Sequence, residues 1–282
     1  MLDAPLRSAL YLPANRANAV ETARTSDADA VILDLEDAVA PDAKAEARAA
    51  AVAAAQAGGF GPRLLVVRAN GLDTPWGADD LAALKGMGVD AVLLPKVSSA
   101  ATVAEARVAL GDALPLWAMI ETCQAFLNLG AIAAAPGLEA FVIGTNDLAL
   151  EMRCALDVER SAMASLLTQA IVAGRAHGLA MVDGVFNDLA DEKGLARQCA
   201  QGAAMGFDGK TVIHPKQIAA ANAAFAPSAE AIAQAQAVVA AFALPENAGK
   251  GVIKVDGRMT ELLHLKQAQH ILAQQAMIAA RA

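Results

Sequence analysis

The sequence predicts an α/β chain, a (β/α)8 TIM barrel carrying a C-terminal helical extension. Three observations support this. Short β-rich apolar segments alternate with alanine-rich helical stretches, which is the pattern of a parallel sheet. The segments number eight, the closure number of such a barrel. The length, 282 residues, covers the ~250 that the barrel uses and leaves a remainder.

In order, the strands are read over 7–13 (RSALYLP), 30–37 (AVILDLED), 63–70 (RLLVVRAN), 90–97 (DAVLLPKV), 114–122 (LPLWAMIET), 138–148 (LEAFVIGTNDL), 179–186 (LAMVDGVF) and 206–215 (GFDGKTVIHP). Each is an apolar run of strand length that ends in small or polar residues, as a buried strand does. Helices fill the intervals, for example 43–57 and 100–111. Polar or glycine entries such as Asp29-Ala30-Val31, Asp90-Ala91-Val92 and Gly206-Phe207 read as the loops feeding each strand. A doubly wound open sheet would place a Gly-rich turn after the first strand. Here that turn is Pro13-Ala14-Asn15-Arg16, without glycine. The barrel is read over 1–217 and the extension over 218–282. The extension holds alanine-rich helices broken at Ala226-Pro227-Ser228, a Gly-bounded hairpin at 249–257 and a last helix over about 260–280. It is either a packing cover or an arm that closes the active site of a neighbouring subunit.

Composition narrows the function. Hydrophobic residues make up 56% and mean hydropathy is +0.39, yet Asp, Glu, Lys or Gly cut every apolar run short of the ~20 residues of a membrane span. Much of the apolar fraction is alanine, and aromatics are only 4%, so the core is aliphatic. A net charge of −8 argues against nucleic acid, which favours a basic face. Cys123, Cys154 and Cys199 are odd in number and without paired spacing, an intracellular pattern. The start, Met1-Leu2-Asp3-Ala4-Pro5, has no signal-peptide features, so the cytoplasm is the expected location.

Barrel chemistry lies at the C-terminal strand ends. Polar residues read there are Arg7 and Ser8, then Asp34, Glu36 and Asp37, then Arg68 and Asn70, then Lys96. Glu121 and Thr122, Asn146 and Asp147, Asp183, Lys210 and His214 follow. Glu121 and Asp147 each close an apolar run, 147 − 121 = 26 residues apart. On neighbouring strands they make a hard-oxygen site of the kind that holds Mg²⁺ (or Mn²⁺) with few protein ligands and several waters. Arg68 offers a planar fork for a substrate carboxylate. Strand alternation puts Asp34 and Asp37 on opposite faces, so the acidic cluster is not expected to line one cavity entire. Lys44 and Arg48, one helical turn apart, are either a solvated face beside Asp42 and Glu46 or an anion contact for the phosphate of a thioester carrier. His214 is either catalytic or structural. His177, His264 and His270 lack zinc-ligand spacing, and Cys123 is read as a small buried residue.

Several motifs resemble one family. They are Val31-Ile32-Leu33-Asp34-Leu35-Glu36-Asp37-Ala38-Val39 with Lys44 and Arg48, Val67-Arg68-Ala69-Asn70 and Leu94-Pro95-Lys96-Val97. Ile120-Glu121-Thr122, Gly144-Thr145-Asn146-Asp147-Leu148, Gly206-Phe207-Asp208-Gly209-Lys210 and Ile213-His214-Pro215 complete them. The set is similar to the citrate lyase β-subunit branch of the HpcH/HpaI aldolase family, over about 7 to about 269. The resemblance implies a barrel assembled as a trimer or hexamer, Mg²⁺ on Glu121 and Asp147, and a substrate carboxylate on Arg68. It further implies substrate or cofactor contacts from Lys44, Arg48, Arg16 in the first phosphate-side loop, and Asn146. The aldolase branch has Glu-His where this chain has Glu36-Asp37. Malyl-CoA relatives carry an Asp, donated across the subunit boundary, where Gly257-Arg258-Met259-Thr260-Glu261 puts Glu261.

The resulting expectation is a Mg²⁺-dependent carbon–carbon lyase acting on a citryl-, malyl- or methylmalyl-type acyl thioester or an oxo-acid. Arg68 orients the anion, and Glu36, Asp37 or Glu261 moves the proton. The alternatives are a CoA-thioester hydrolase on the same scaffold, or a subunit active only with an acyl-carrier partner. No nucleic acid or membrane partner is expected.

Overall fold

Every second residue of the eight apolar runs turns inward, and this builds a closed barrel in the computed structural model, which describes residues 4–112 and 114–281. The start of the N-terminal segment, residues 1–3, lies outside the described residues, as does residue 282 of the extension. The strands are β1 (Ser8–Pro13), β2 (Ala30–Asp34), β3 (Leu64–Arg68), β4 (Ala91–Leu94), β5 (Leu116–Ile120), β6 (Leu138–Ile143), β7 (Ala180–Asp183) and β8 (Gly209–Val212). All pair in parallel in chain order, and Ser8–Leu10 of β1 pair with Lys210–Val212 of β8 to close the ring. The strands stop earlier than several apolar runs did: at Asp34, Leu94 and Asp183 the ladder ends and the chain turns into a loop.

Both faces of the barrel wall are buried, which is why the runs are continuously apolar. Ala30, Ile32, Val66, Leu93, Trp117 and Val142 fill the interior. Val31, Leu33, Val67, Val92, Leu94 and Ile120 face the surrounding helices. Alanine sets the helix–sheet distance. In the helix Lys44–Ala57, residues Ala47, Ala51, Ala54 and Ala55 form the buried stripe, at the three- and four-residue spacing of one helix face. The same alternation continues past the last apolar residue. After Ile32, Val66 and Met119 the next inward positions are Asp34, Arg68 and Glu121. Three charges thus enter the barrel at one end.

Among the described residues, a second compact unit covers 4–5 and 226–281. It holds the helix Ala229–Ala243, the hairpin β9 (Val252–Val255) and β10 (Arg258–Glu261), and the helix Leu262–Ala279. Ala235, Val238, Ile253, Val255 and Ala268 form its own small core. Asp256 and Gly257, at φ 47° and 81°, make the hairpin turn that Asp-Gly favours. The helix Ile218–Ala224 stays with the barrel, because Ile218, Ala221 and Phe225 join the barrel's outer core. No helix of the described residues is long and apolar enough to cross a membrane.

Candidate active site

Asp34 and Arg68 are register partners on adjacent strands, both pointing inward. The guanidinium meets the carboxylate fork to fork: Nε to Oδ1 at 2.6 Å and Nη2 to Oδ2 at 2.6 Å. The amides of Glu36 and Ala38 also donate to Asp34, at 2.9 and 3.0 Å. Burial opposes ionisation of Asp34, but the Arg68 fork and these amides outweigh it and hold the carboxyl below its usual range. Arg68 Nη1 also lies 2.7 Å from Glu36 Oε2, a charge contact without hydrogen-bond alignment. The other Glu36 oxygen accepts from Lys96 Nζ at 2.8 Å. Burial pushes the Glu36 carboxyl up by more than Arg68 and Lys96 pull it down.

Glu121 follows β5 and is fully buried. The Lys96 backbone N–H donates to its Oε1 at 2.8 Å, from a left-handed Lys96 backbone at φ 49°. Its Oε2 is buried with no protein partner. Burial above all, and then the Glu36 charge, raise the carboxyl from its ordinary 4.5 to about 8; Asp147 adds to this, while the Lys96 amide and Arg68 oppose it. A Cβ at Gly144 would collide with Glu121 Oε2 and Cβ, so glycine is what leaves room for this carboxylate. Asp147 sits in the first turn of the helix Thr145–Met152 and lines the same cavity.

The cavity at this mouth measures about 410 Å³ and is walled by Tyr11, Arg68, Met119, Thr145, Asp147 and Asn187 among others. An orphaned buried carboxylate oxygen beside a second carboxylate fits a hard divalent cation that keeps much of its water. Among the described residues no group of three or more His, Cys, Asp and Glu is gathered as a metal cage. The all-oxygen donor set of Glu121 and Asp147 is of the kind that suits Mg²⁺.

Several expected residues stand elsewhere or do other work. Asp34 and Asp37 both line the cavity, because β2 ends at Asp34 and alternation no longer governs Asp37. Lys44 is buried, and its Nζ donates to the carbonyls of Leu35 and Glu36 at 2.8 and 2.7 Å, so the solvated-face reading fails for it. Arg48 Nε meets buried Asp80 at 2.6 Å, and Asp80 in turn holds the amide and side chain of Asn70. Both cations thus brace the loops after β2 and β3. Arg16 is exposed at the start of the helix Ala17–Arg24. Asn146 makes a reciprocal amide pair with Asn187, at 3.2 and 2.7 Å. Arg7 and Ser8 lie at the N-terminal end of β1, where Arg7 pairs with Asp29 at 2.8 Å and Ser8 with Asn222 at 2.7 Å. Asp183 and Lys210 share parity with outward-facing residues. They form a buried network with Arg160 and Gln198, away from the cavity. His214 Nδ1 caps the turn Pro215–Gln217 by accepting from Lys216 N at 3.1 Å. Glu261 belongs to the second unit, where it caps the helix Leu262–Ala279 and its own N–H donates to His264 Nδ1 at 2.9 Å.

Tyr11 and Met119 were not foreseen as site residues. The inward parity of β1 and β5 was the available signal, since it also selects Glu121.

Comparison with known proteins bears on the chemistry. Residues 7–215 match the family model described as HpcH/HpaI aldolase/citrate lyase. A (3S)-malyl-CoA thioesterase of Cereibacter sphaeroides is 49% identical over 276 residues, covering 98% of this chain and 96% of that protein. An L-malyl-CoA/beta-methylmalyl-CoA lyase of the same organism is 36% identical over 310 residues, with the same coverage of 98% and 96%. The solved structure of CitE from Mycobacterium tuberculosis, in complex with magnesium, acetoacetate and coenzyme A, superposes with a TM-score of 0.79. It is 31% identical, and the match covers 98% of this chain and 100% of that one.

Proposed function

Since the chain belongs to the HpcH/HpaI aldolase/citrate lyase family, we propose that it hydrolyses a malyl-type CoA thioester with Mg²⁺ as cofactor. One observation carries hydrolysis over carbon–carbon cleavage. Identity to the malyl-CoA thioesterase is 49%, against 36% to the malyl-CoA lyase, over the same 98% of the chain. The lyase expected from the motifs becomes the second reading. Those motifs identify the barrel and its charged mouth, which both chemistries use, and leave open which bond breaks.

Charge balance supports the cation. Asp34, Glu36, Asp37, Glu121 and Asp147 surround the mouth, against Arg68 and Lys96. A substrate carboxylate entering there adds to a surplus of negative charge, and a divalent cation offsets it. Glu121 and Asp147 would hold the Mg²⁺ (or Mn²⁺), which would supply Lewis-acid stabilisation of charge developing on substrate oxygen.

The chain's own groups divide the remaining work. Asp34 locks Arg68 as a preorganised cation, so orientation costs little at the moment of reaction. Glu36 is tied to Arg68 and Lys96, whereas Asp37 is half-exposed and 3.5 Å or more from either cation. Asp37 is thus the freer carboxylate to accept a proton from water as the water adds to the thioester carbonyl carbon. The C–S bond then breaks, the CoA sulfur takes up the proton, and malate and free CoA result. Lys44 and Arg48 act through the loops they brace. The active assembly is a homo-oligomer, a trimer or hexamer, which light scattering on the purified chain would measure.

The deciding assay incubates the purified chain alone with malyl-CoA and Mg²⁺, and measures free thiol and oxo-acid in the same sample. Thiol released in step with malate, without oxo-acid, is the expected result. Oxo-acid with acetyl-CoA in equal amounts establishes the lyase instead. Inactivity on the free thioester, cured by an acyl-carrier protein, establishes the carrier-dependent subunit.

A further inference from the structure

Two donors in the cavity end on the same poor acceptor. Tyr11 Oη reaches Met119 Sδ at 3.6 Å, and Arg68 Nη1 reaches the same sulfur at 3.7 Å. A thioether is a weak hydrogen-bond acceptor. Nη1 also reaches Asp37 Oδ2 at 3.5 Å and lies 2.7 Å from Glu36 Oε2, a charge contact without hydrogen-bond alignment, so its aligned hydrogen bonds are both long. The rest of the Arg68 fork is committed to Asp34. The guanidinium lies 5.0 Å over the Tyr11 ring, so the two side chains are fixed against each other. All three line the cavity.

We propose that Tyr11 is a substrate-binding residue, whose hydroxyl and Arg68 Nη1 together grip the free carboxylate of the acyl group by replacing Met119 Sδ as their acceptor. The inference rests on the malyl-type reading for the identity of that carboxylate.

The chemistry favours this assignment. A neutral O–H donor adds no charge to a mouth already rich in carboxylates, and a charge-assisted bond to an anion is roughly twice as strong as a neutral one. Burial raises the phenol above its ordinary range, with Arg68 opposing, so Tyr11 acts as a donor and not as a base. Its ring also serves as the platform for Arg68, which a Phe would retain.

The test is Tyr11→Phe, with Met119→Leu as companion. Calorimetric titration of malate into the Mg²⁺-loaded proteins reads binding without any turnover. Tyr11→Phe is expected to weaken malate roughly 10- to 100-fold, the size of one hydrogen bond to a charged group. Met119→Leu, which removes only the competing sulfur, is expected to bind malate as well as the wild type or better. Kinetics on malyl-CoA and on 3-hydroxybutyryl-CoA, which has a methyl group in place of the carboxylate, supply the second arm. The Tyr11→Phe loss in kcat/KM should appear with malyl-CoA and be absent with the methyl analogue. Equal losses on both substrates, or unchanged malate affinity in Tyr11→Phe with an unchanged melting temperature, overturn the assignment. If the wild type releases no thiol from malyl-CoA, the hydrolase reading fails, while the malate titration still decides the role of Tyr11.

Discussion

Replacing Glu121 by Gln separates the cost of burying a charge from the use made of it. In the folded protein this carboxyl holds its proton up to about 8, whereas an unfolded chain releases it near 4.5. Between those two pH values the folded state carries a proton that the unfolded state lacks, so stability falls as pH rises through the window. The slope is about 1.4 kcal/mol per pH unit, and the whole window amounts to roughly 5 kcal/mol. The part played by Glu121 is fully present below 4.5 and gone above about 8. Glutamine keeps the shape and does not titrate. Urea unfolding of the chelator-treated protein from pH 5 to 8.5 should show the wild type losing most of that amount relative to Glu121→Gln. Adding Mg²⁺ at pH 8 should restore the wild type and leave the variant unmoved, because a bound cation replaces the proton and stabilises only the folded state. Parallel pH curves for the two proteins would refute the buried-carboxyl account, and an equal response of both to Mg²⁺ would refute the metal assignment.

Three further outcomes follow from the same geometry. Asp34→Asn leaves a buried guanidinium without its fork and should cost about 3–5 kcal/mol in urea unfolding, since breaking a buried pair strands a charge. Gly144→Ala places a methyl group against Glu121 Oε2, so Mg²⁺ affinity measured by calorimetry should fall at least ~10-fold, within the range seen when groups that orient metal ligands are disturbed. Lys44→Met removes two hydrogen bonds from an ammonium to the carbonyls of Leu35 and Glu36 and should lower stability by about 2–3 kcal/mol in thermal unfolding. In that variant the affinity for free CoA should be unchanged, and a large loss would return Lys44 to the phosphate-contact role.

The sequence by itself determined the barrel and the end at which its charges gather. Eight apolar runs with helices between them leave few other ways to bury both faces of a parallel sheet, and all eight strands stand where the runs lie. Period-2 alternation is a local property, so it extends one step past Ile32, Val66 and Met119 and brings Asp34, Arg68 and Glu121 to the interior. What those charges do was decided by the tertiary structure. The Arg68 fork faces Asp34 because β2 and β3 are neighbours in register, and that pairing restricts the clamp expected for substrate to the Nη1 side. Asp183 ends β7 much as Glu121 follows β5, but at the opposite parity, so it is satisfied among helices, away from the cavity, together with Lys210, the second residue of β8. Lys96 orients Glu121 through its backbone amide, which no side-chain pattern encodes. Hydrogen-bond partners and solvent exposure depend on neighbours 25 to 60 residues away in sequence, and these meet only when the barrel closes.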